Sequence, residues 1–76
     1  MDTLKHIFAS VLGLADSAVT DELSPENTDT WDSLNAIVLL TEIERAFSIS
    51  FSYDEAMSIK NFGEAVTLVR SKGIAL

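Results

Sequence analysis

The stretch Trp31-Asp32-Ser33-Leu34-Asn35-Ala36-Ile37-Val38-Leu39-Leu40-Thr41-Glu42-Ile43-Glu44-Arg45-Ala46-Phe47 decides how this chain is read. It holds neither glycine nor proline, and its apolar residues recur at three and four, the period of an α-helix. The carboxylate of Asp32 can accept the backbone N–H of a residue two or three positions on, which predicts a helix starting at Asp32 and running to about Phe47. Ser33 then sits in its first turn. At about 100° per residue, Ala36, Leu40, Ile43 and Phe47 share one side, flanked by Leu39 and Ala46, and that stripe is the expected core face. Leu34, Ile37 and Val38 fall on or near the opposite side with Thr41 and Arg45, where a soluble helix is normally polar. A helix apolar on two faces is either wholly buried or offers its second face to something else. Complete burial is hard in 76 residues, so the second face is read as a docking stripe. The alternative is that a short neighbouring helix or the preceding loop covers Leu34 and Ile37.

Working outward, Leu4, Ile7, Phe8, Val11, Leu12 and Ala15 give a first amphipathic helix from Thr3, capped by Asp2 or Thr3, with Gly13 lowering helicity near its end. Residues 16–31 lose that period, and Val19, Leu23 and Trp31 are the side chains large enough to anchor them. This is a long ordered loop, a kind of segment that usually carries function. Ser52-Tyr53-Asp54-Glu55 is a capping box, followed by Ala56, Met57 and Ile59, and predicts a short third helix of barely two turns. Asn61 with Glu64 opens a fourth helix, buried through Phe62, Ala65, Val66 and Val69, ending near Lys72 with Gly73 as the stop. Residues 47–52 alternate like a strand, but no partner strand exists elsewhere, so they are read as an extended connection burying Ile49 and Phe51. The expected fold is all-α, one domain over residues 1–76. It is a four-helix bundle with three longer helices, a short third helix and a long ordered loop between the first two.

Composition narrows the function. Twelve acidic residues against five basic ones leave a net charge of −7, the wrong sign for tracking phosphates of nucleic acid or for an anionic membrane surface. Asp16, Asp21, Glu22, Glu26, Asp29 and Asp32 crowd residues 16–32 without a lysine or arginine, so a basic protein partner fits. There is no cysteine, which excludes disulfides, thiolate metal sites and a thiol nucleophile. No apolar run approaches ~18 residues and the N-terminus lacks a basic-then-apolar layout, so a soluble, cytoplasmic and monomeric protein without membrane insertion is expected. The one histidine, His6, falls on the polar side of the first helix, with no Ser/His/Asp arrangement and no HExxH spacing. No catalytic residue and no metal ligand is assigned. A calcium loop around Asn27 and Asp29 fails for want of the turn glycine and closing glutamate.

Ser33 stands where unpaired backbone N–H groups and the positive end of the helix dipole favour a phosphate. Asp32-Ser33-Leu34 at a helix start, behind a long acidic loop and ahead of Leu39, Leu40, Glu42, Ile43, Glu44 and Phe47, resembles the acyl carrier protein family. The Glu-Arg-Ala-Phe-Ser-Ile segment at 44–49 extends the resemblance, which spans nearly the whole chain. It implies that Ser33 is esterified to 4′-phosphopantetheine, whose terminal thiol carries an acyl group as a thioester. It further implies that Asp32 helps engage the basic, magnesium-dependent phosphopantetheinyl transferase that installs the group from coenzyme A. By the same resemblance Leu34 and Glu44 are partner-facing, and Ile37, Val38 and Thr41 complete the surface offered to acyl-loading and acyl-processing enzymes with basic docking surfaces.

The chain departs from familiar bacterial fatty-acid carriers at Val38 and Arg45, where those usually have acidic residues, at Thr30-Trp31, where a Gly-Ala pair is usual, and at Ser52, where a proline is common. These departures resemble specialised carriers of fatty-acid, polyketide or related pathways. An aminoacyl or peptidyl carrier, and an unmodified acidic interaction domain, are the alternatives. A sheltered acyl chain is expected between the second and third helices, with Met57 and Ile59 lining the opening. Self-repulsion across the acidic loop predicts a fold that cations stabilise: melting curves with and without magnesium should show a higher melting temperature with the metal, and coincident curves would contradict this.

Overall fold

The computed structural model describes residues 1–76. Four helices follow one another, α1 (Asp2–Leu12), α2 (Ser33–Phe47), α3 (Tyr53–Ser58) and α4 (Phe62–Ser71). A 3-10 turn at Asp16–Ala18 interrupts the long connection between α1 and α2. No strand forms, as expected for the all-α bundle.

Most helix ends are set by the residues that the sequence singles out. Asp32 is extended and its side chain accepts from the Asn35 amide at the head of α2. Ser52 and Glu55 form a reciprocal capping box on α3, at 3.1 and 2.8 Å. Asn61 accepts from the Glu64 amide, while the Glu64 carboxylate reaches the Lys60 amide at 2.9 Å. α1 differs from expectation. It is already helical at Asp2, with Met1 at the cap position and no side-chain cap, because water can satisfy exposed first-turn amides and an acid in that turn suits the dipole. It also stops at Leu12 rather than reaching Ala15. Gly13 adopts φ 71°, ψ 38°, and the amides of Gly13 and Leu14 both turn back to the Ala9 carbonyl. The glycine is thus the stop signal, not a weak point within the helix.

α2 ends at Ser48, a left-handed non-glycine residue (φ 55°, ψ 46°), and the Ile49 amide returns to the Glu44 carbonyl. From there Phe47, Ile49 and Phe51 are half-buried while Ser48, Ser50 and Ser52 are exposed, which is the extended, alternating connection expected. The acidic loop is held by backbone. Two amides at the head of α4 that lack helical partners donate to it, Phe62 to the Leu23 carbonyl at 2.8 Å and Gly63 to the Asp21 carbonyl at 3.2 Å. A Cβ at position 63 would lie 3.4 Å from that carbonyl, so glycine eases the approach.

The core lies between α1, α2, α4 and the loop, with Leu4, Phe8, Leu12, Val19, Phe62 and Val69 almost fully enclosed. The loop contributes Val19, Leu23 and Trp31, the three anchors expected of it. The Phe8 ring stands edge-on between Trp31 at 5.3 Å and Phe62 at 4.9 Å. On α2 the buried side is centred on Leu39 and Ile43, with Ala36, Leu40 and Phe47 half-buried and Ala46 exposed. The expected face was therefore rotated from the real one. Phe8 of α1 and Trp31 of the loop stand beside Leu39 and Ile43, whereas two-turn α3 has no buried residue of its own and leaves Ala36 and Leu40 half-buried.

Replacing Gly13 by alanine tests the stop. No atom lies within 4 Å of the added Cβ, so the cost is backbone strain alone, about 1 kcal/mol. For a domain this size the melting temperature should fall by roughly 4–8 °C.

Candidate functional site

The first turn of α2 is fixed by a short polar relay. Thr30 donates its hydroxyl to the Leu12 carbonyl at 2.8 Å, satisfying an end of α1, and its own carbonyl accepts from Asn35 Nδ2 at 2.7 Å. The Asn35 amide donates to Asp32 Oδ1 at 2.8 Å, and the Ala36 amide to the Asp32 carbonyl at 2.9 Å. Asp32 is exposed and uses one oxygen in the cap, which leaves the other facing solvent. Ser33 follows as the first residue of α2, exposed, and its hydroxyl enters no hydrogen bond within the chain. The Ser33 and Leu34 amides lie at the helix end that has no intrahelical acceptors. A phosphate ester on this exposed oxygen would sit at the positive end of the helix dipole. The residues present therefore fit a phosphate-linked prosthetic group. Since the chain has no cysteine, any thiol chemistry must come from that group.

Beyond Ser33 the outer face of α2 is apolar. Leu34 is 70% exposed, Ile37 62% and Val38 38%, so neither the loop nor α3 covers them. Thr41 gives its hydroxyl to the Ile37 carbonyl one turn back, at 3.0 Å, which leaves its methyl group as its contribution outward. Exposed Arg45 pairs loosely with half-buried Glu42 at 3.5 Å, an arrangement worth little where water reaches the pair. Glu44 is placed differently from the others. It is half-buried, and its Oε2 accepts from the Phe51 amide at 2.9 Å. The carboxylate thus holds the connection after α2 in place, a structural duty that its spacing in the sequence does not disclose.

Beside α2 lies a small apolar pocket of about 40 Å³, partly open to solvent and lined by Ala36, Leu39, Leu40 and Ile43 of α2, by Phe8 and Trp31, and by Ala56 and Ile59. Ile59 lines it as expected. Met57 does not, being 60% exposed, because a two-turn helix can turn only one narrow side inward and Ala56 occupies it. α3 is held from outside. Lys72 Nζ lies 2.7 Å from Glu55 Oε1 and 5.9 Å above the Phe51 ring. The hydrogen bond from Lys72, and then that from the Ser52 amide, hold the Glu55 carboxyl below its ordinary value of 4.5.

The remaining features stay apart from Ser33. His6 is exposed on α1, 3.6 Å from Asp16. A wide dish of about 510 Å³ runs along the loop past Leu14, Thr20, Leu23 and Asn27, open to solvent. No three His, Asp or Glu side chains are grouped to hold a metal ion, and no helix is long and apolar enough to cross a membrane. Thr30 and Asn35 are the site residues that sequence reasoning missed. The available signal was Asn35 lying three residues after the cap, with a side chain free to reach back to the loop.

The family model for the phosphopantetheine attachment site matches residues 2–69. The acyl carrier protein of Rubrobacter xylanophilus is 35% identical over 69 residues, covering 91% of this chain and 85% of that one. That of Guillardia theta is 32% identical over 71 residues, covering 93% and 88%. The solution structure of the holo acyl carrier protein from Geobacter metallireducens superposes with a TM-score of 0.83 at 34% identity, covering 93% of this chain and 82% of that one. The chain belongs to the acyl carrier protein family, and phosphopantetheine is its prosthetic group.

The Glu55 node gives a pH dependence. A carboxyl whose folded pKa is depressed contributes stability that is full above its unfolded value and disappears as the pH falls through the folded one. Amide-exchange protection in α3, taken relative to the intrinsic rate at each pH, should therefore fall on acidification below about pH 4.5. In Lys72→Met this acid-sensitive step should shrink, and an unchanged profile would show that the ion pair does not hold α3.

Proposed function

We propose that Ser33 is the attachment point of 4′-phosphopantetheine and that the chain is an acyl carrier, not a catalyst, presenting its cargo to cytoplasmic biosynthetic enzymes. The observation that carries this reading is the exposed, unbonded Ser33 hydroxyl held at the first turn of α2 by the Asp32 cap. In the loading step its oxygen bonds to the phosphorus nearest the pantetheine of coenzyme A. The pyrophosphate bond breaks, adenosine 3′,5′-bisphosphate leaves, and the hydroxyl proton passes to the transferase. Once attached, the group supplies a thiol on which an acyl chain is held as a thioester.

The protein's own part is presentation. Asp32 orients the first turn and offers its second oxygen to the basic transferase. Leu34, Ile37 and Val38, with the methyl of Thr41, form the apolar strip that a partner covers. The acids of the loop steer basic partner surfaces to it. Glu44 closes the far end of this surface, with one oxygen engaged by Phe51 and the other available to a partner. The replacement of acidic positions by Val38 and Arg45 favours partners dedicated to a specialised pathway, fatty-acid or polyketide in kind. An aminoacyl or peptidyl carrier shares the site and differs in cargo.

Intact-mass analysis after incubation with coenzyme A and a phosphopantetheinyl transferase should show the gain of one phosphopantetheine, and Ser33→Ala should abolish it. A gain that survives in Ser33→Ala would place the attachment elsewhere. Ile37→Asp should change stability by no more than about 0.5 kcal/mol, as expected of an exposed position. The same variant should lower the transferase kcat/KM at least about tenfold, the effect of losing ~1.4 kcal/mol of buried apolar contact.

A further inference from the structure

The outer face of α2 is charged at its two ends and uncharged between them. At its head the exposed carboxylate of Asp32 follows the acids of the loop, and residues 33–41 carry no charge. At its foot stands Arg45, the one lysine or arginine between Lys5 and Lys60. At 3.6 residues per turn Arg45 lies within about 20° of both Leu34 and Val38, so it belongs to the exposed apolar strip. The acids beside it are turned elsewhere. Glu44 is half-buried and accepts the Phe51 amide at 2.9 Å. Glu42 is half-buried on the α1 side, where it lines a shallow groove with Ile7, Val11 and Val38. The Arg45 side chain is 73% exposed, and its one ion pair is the loose contact with Glu42 at 3.5 Å.

A guanidinium has five N–H donors in a planar fork. Water satisfies them in the free chain, but a partner lying on Leu34, Ile37 and Val38 displaces that water, and the donors then need acceptors. A lysine placed opposite repels, whereas a carboxylate matches the fork with two oxygens. The net charge of −7 does not override this. Asp32 and Arg45 lie about 20 Å apart along the axis at 1.5 Å per residue, and charges are screened over about 8 Å at physiological salt. The two ends are felt separately. We infer that Arg45 is a specificity-determining residue that takes a carboxylate on the enzymes this carrier serves, whose docking surface is basic beside Ser33, apolar in the middle and acidic about 20 Å further on. An enzyme that is basic along its whole docking surface is turned away at the foot of α2. The inference rests on the carrier reading, since it concerns partners of cargo attached at Ser33. A basic residue in a last turn also suits the helix dipole, and Arg70, exposed in the last turn of α4, supplies the matched control on another helix.

The test uses the full chain, first converted to its phosphopantetheine form with coenzyme A and the transferase and verified by intact mass. The probe is a malonyl transacylase whose docking surface is basic along its length, and kcat/KM is measured for malonyl transfer to the carrier thiol. Arg45→Glu should raise kcat/KM at least about fivefold, whereas Arg70→Glu, the same change of charge, should alter it less than about twofold. No gain from Arg45→Glu, or an equal gain from Arg70→Glu, overturns the inference. In a second arm each lysine and arginine of the transacylase docking surface is changed singly to glutamate. At least one such variant should gain about fivefold with the wild-type chain and lose that gain with Arg45→Glu. A series in which no variant couples to Arg45 overturns the inference. Should Arg45→Glu fail to fold, as judged by circular dichroism, Arg45→Gln takes its place in both arms, with an expected gain of at least about twofold. Failure of the first conversion is a different result, which removes the carrier reading and this inference with it.

Discussion

The structure turns on the edge-to-face row of Trp31, Phe8 and Phe62. These three rings come from the loop, α1 and α4, so one contact series joins segments that lie far apart in the chain. Each such pair contributes about 0.5–1.5 kcal/mol beyond the area it buries. A core this small supplies only ~3–5 kcal/mol net, so the row is a large share of what holds the bundle together. It also places the loop's last residues. Trp31 cannot be buried against Phe8 without bringing Asp32 and Ser33 to the surface beside it.

Polar contacts then refine what the rings place. Thr30 joins α1 to the loop, and Asn35 joins the loop to α2. Their net contribution is modest, about 1 kcal/mol each, but they are directional where apolar packing is not. The serine is therefore positioned by the covalent start of a helix whose first turn is bonded on one side to another helix. α3 is built on the opposite plan. It contributes no buried residue and depends on its cap, on Ala56 and Ile59, and on one ion pair. Segments held in this way are the first to open, and here the most openable element stands next to the functional serine.

α2 reconciles two demands. One side must be buried for the fold to exist, and Leu39 and Ile43 meet that need. The other side keeps Leu34 and Ile37 in water, which costs solubility and adds nothing to the core. Thr41 shows how far this goes, since its hydroxyl is bonded to its own helix and only the methyl is offered outward. The acidic loop offsets the exposed strip, because a net charge of −7 keeps copies of the chain apart while attracting basic surfaces.

The amino-acid sequence alone determined the all-α class, the caps at Asp32, Ser52 and Asn61, the anchors Val19, Leu23 and Trp31, and the place of Ser33 in a first helical turn. Each of these depends on residues three or four apart, or on how large a side chain is, and both are visible without a fold. Tertiary structure alone decided that α2 buries the Leu39 side and leaves Ala46 out, that Glu44 holds the Phe51 amide, and that Ala56 rather than Met57 turns inward. It also decided that Thr30 and Asn35 link three elements. These outcomes depend on what lies across from a residue, and periodicity within one helix specifies a face only to within the width of its neighbours.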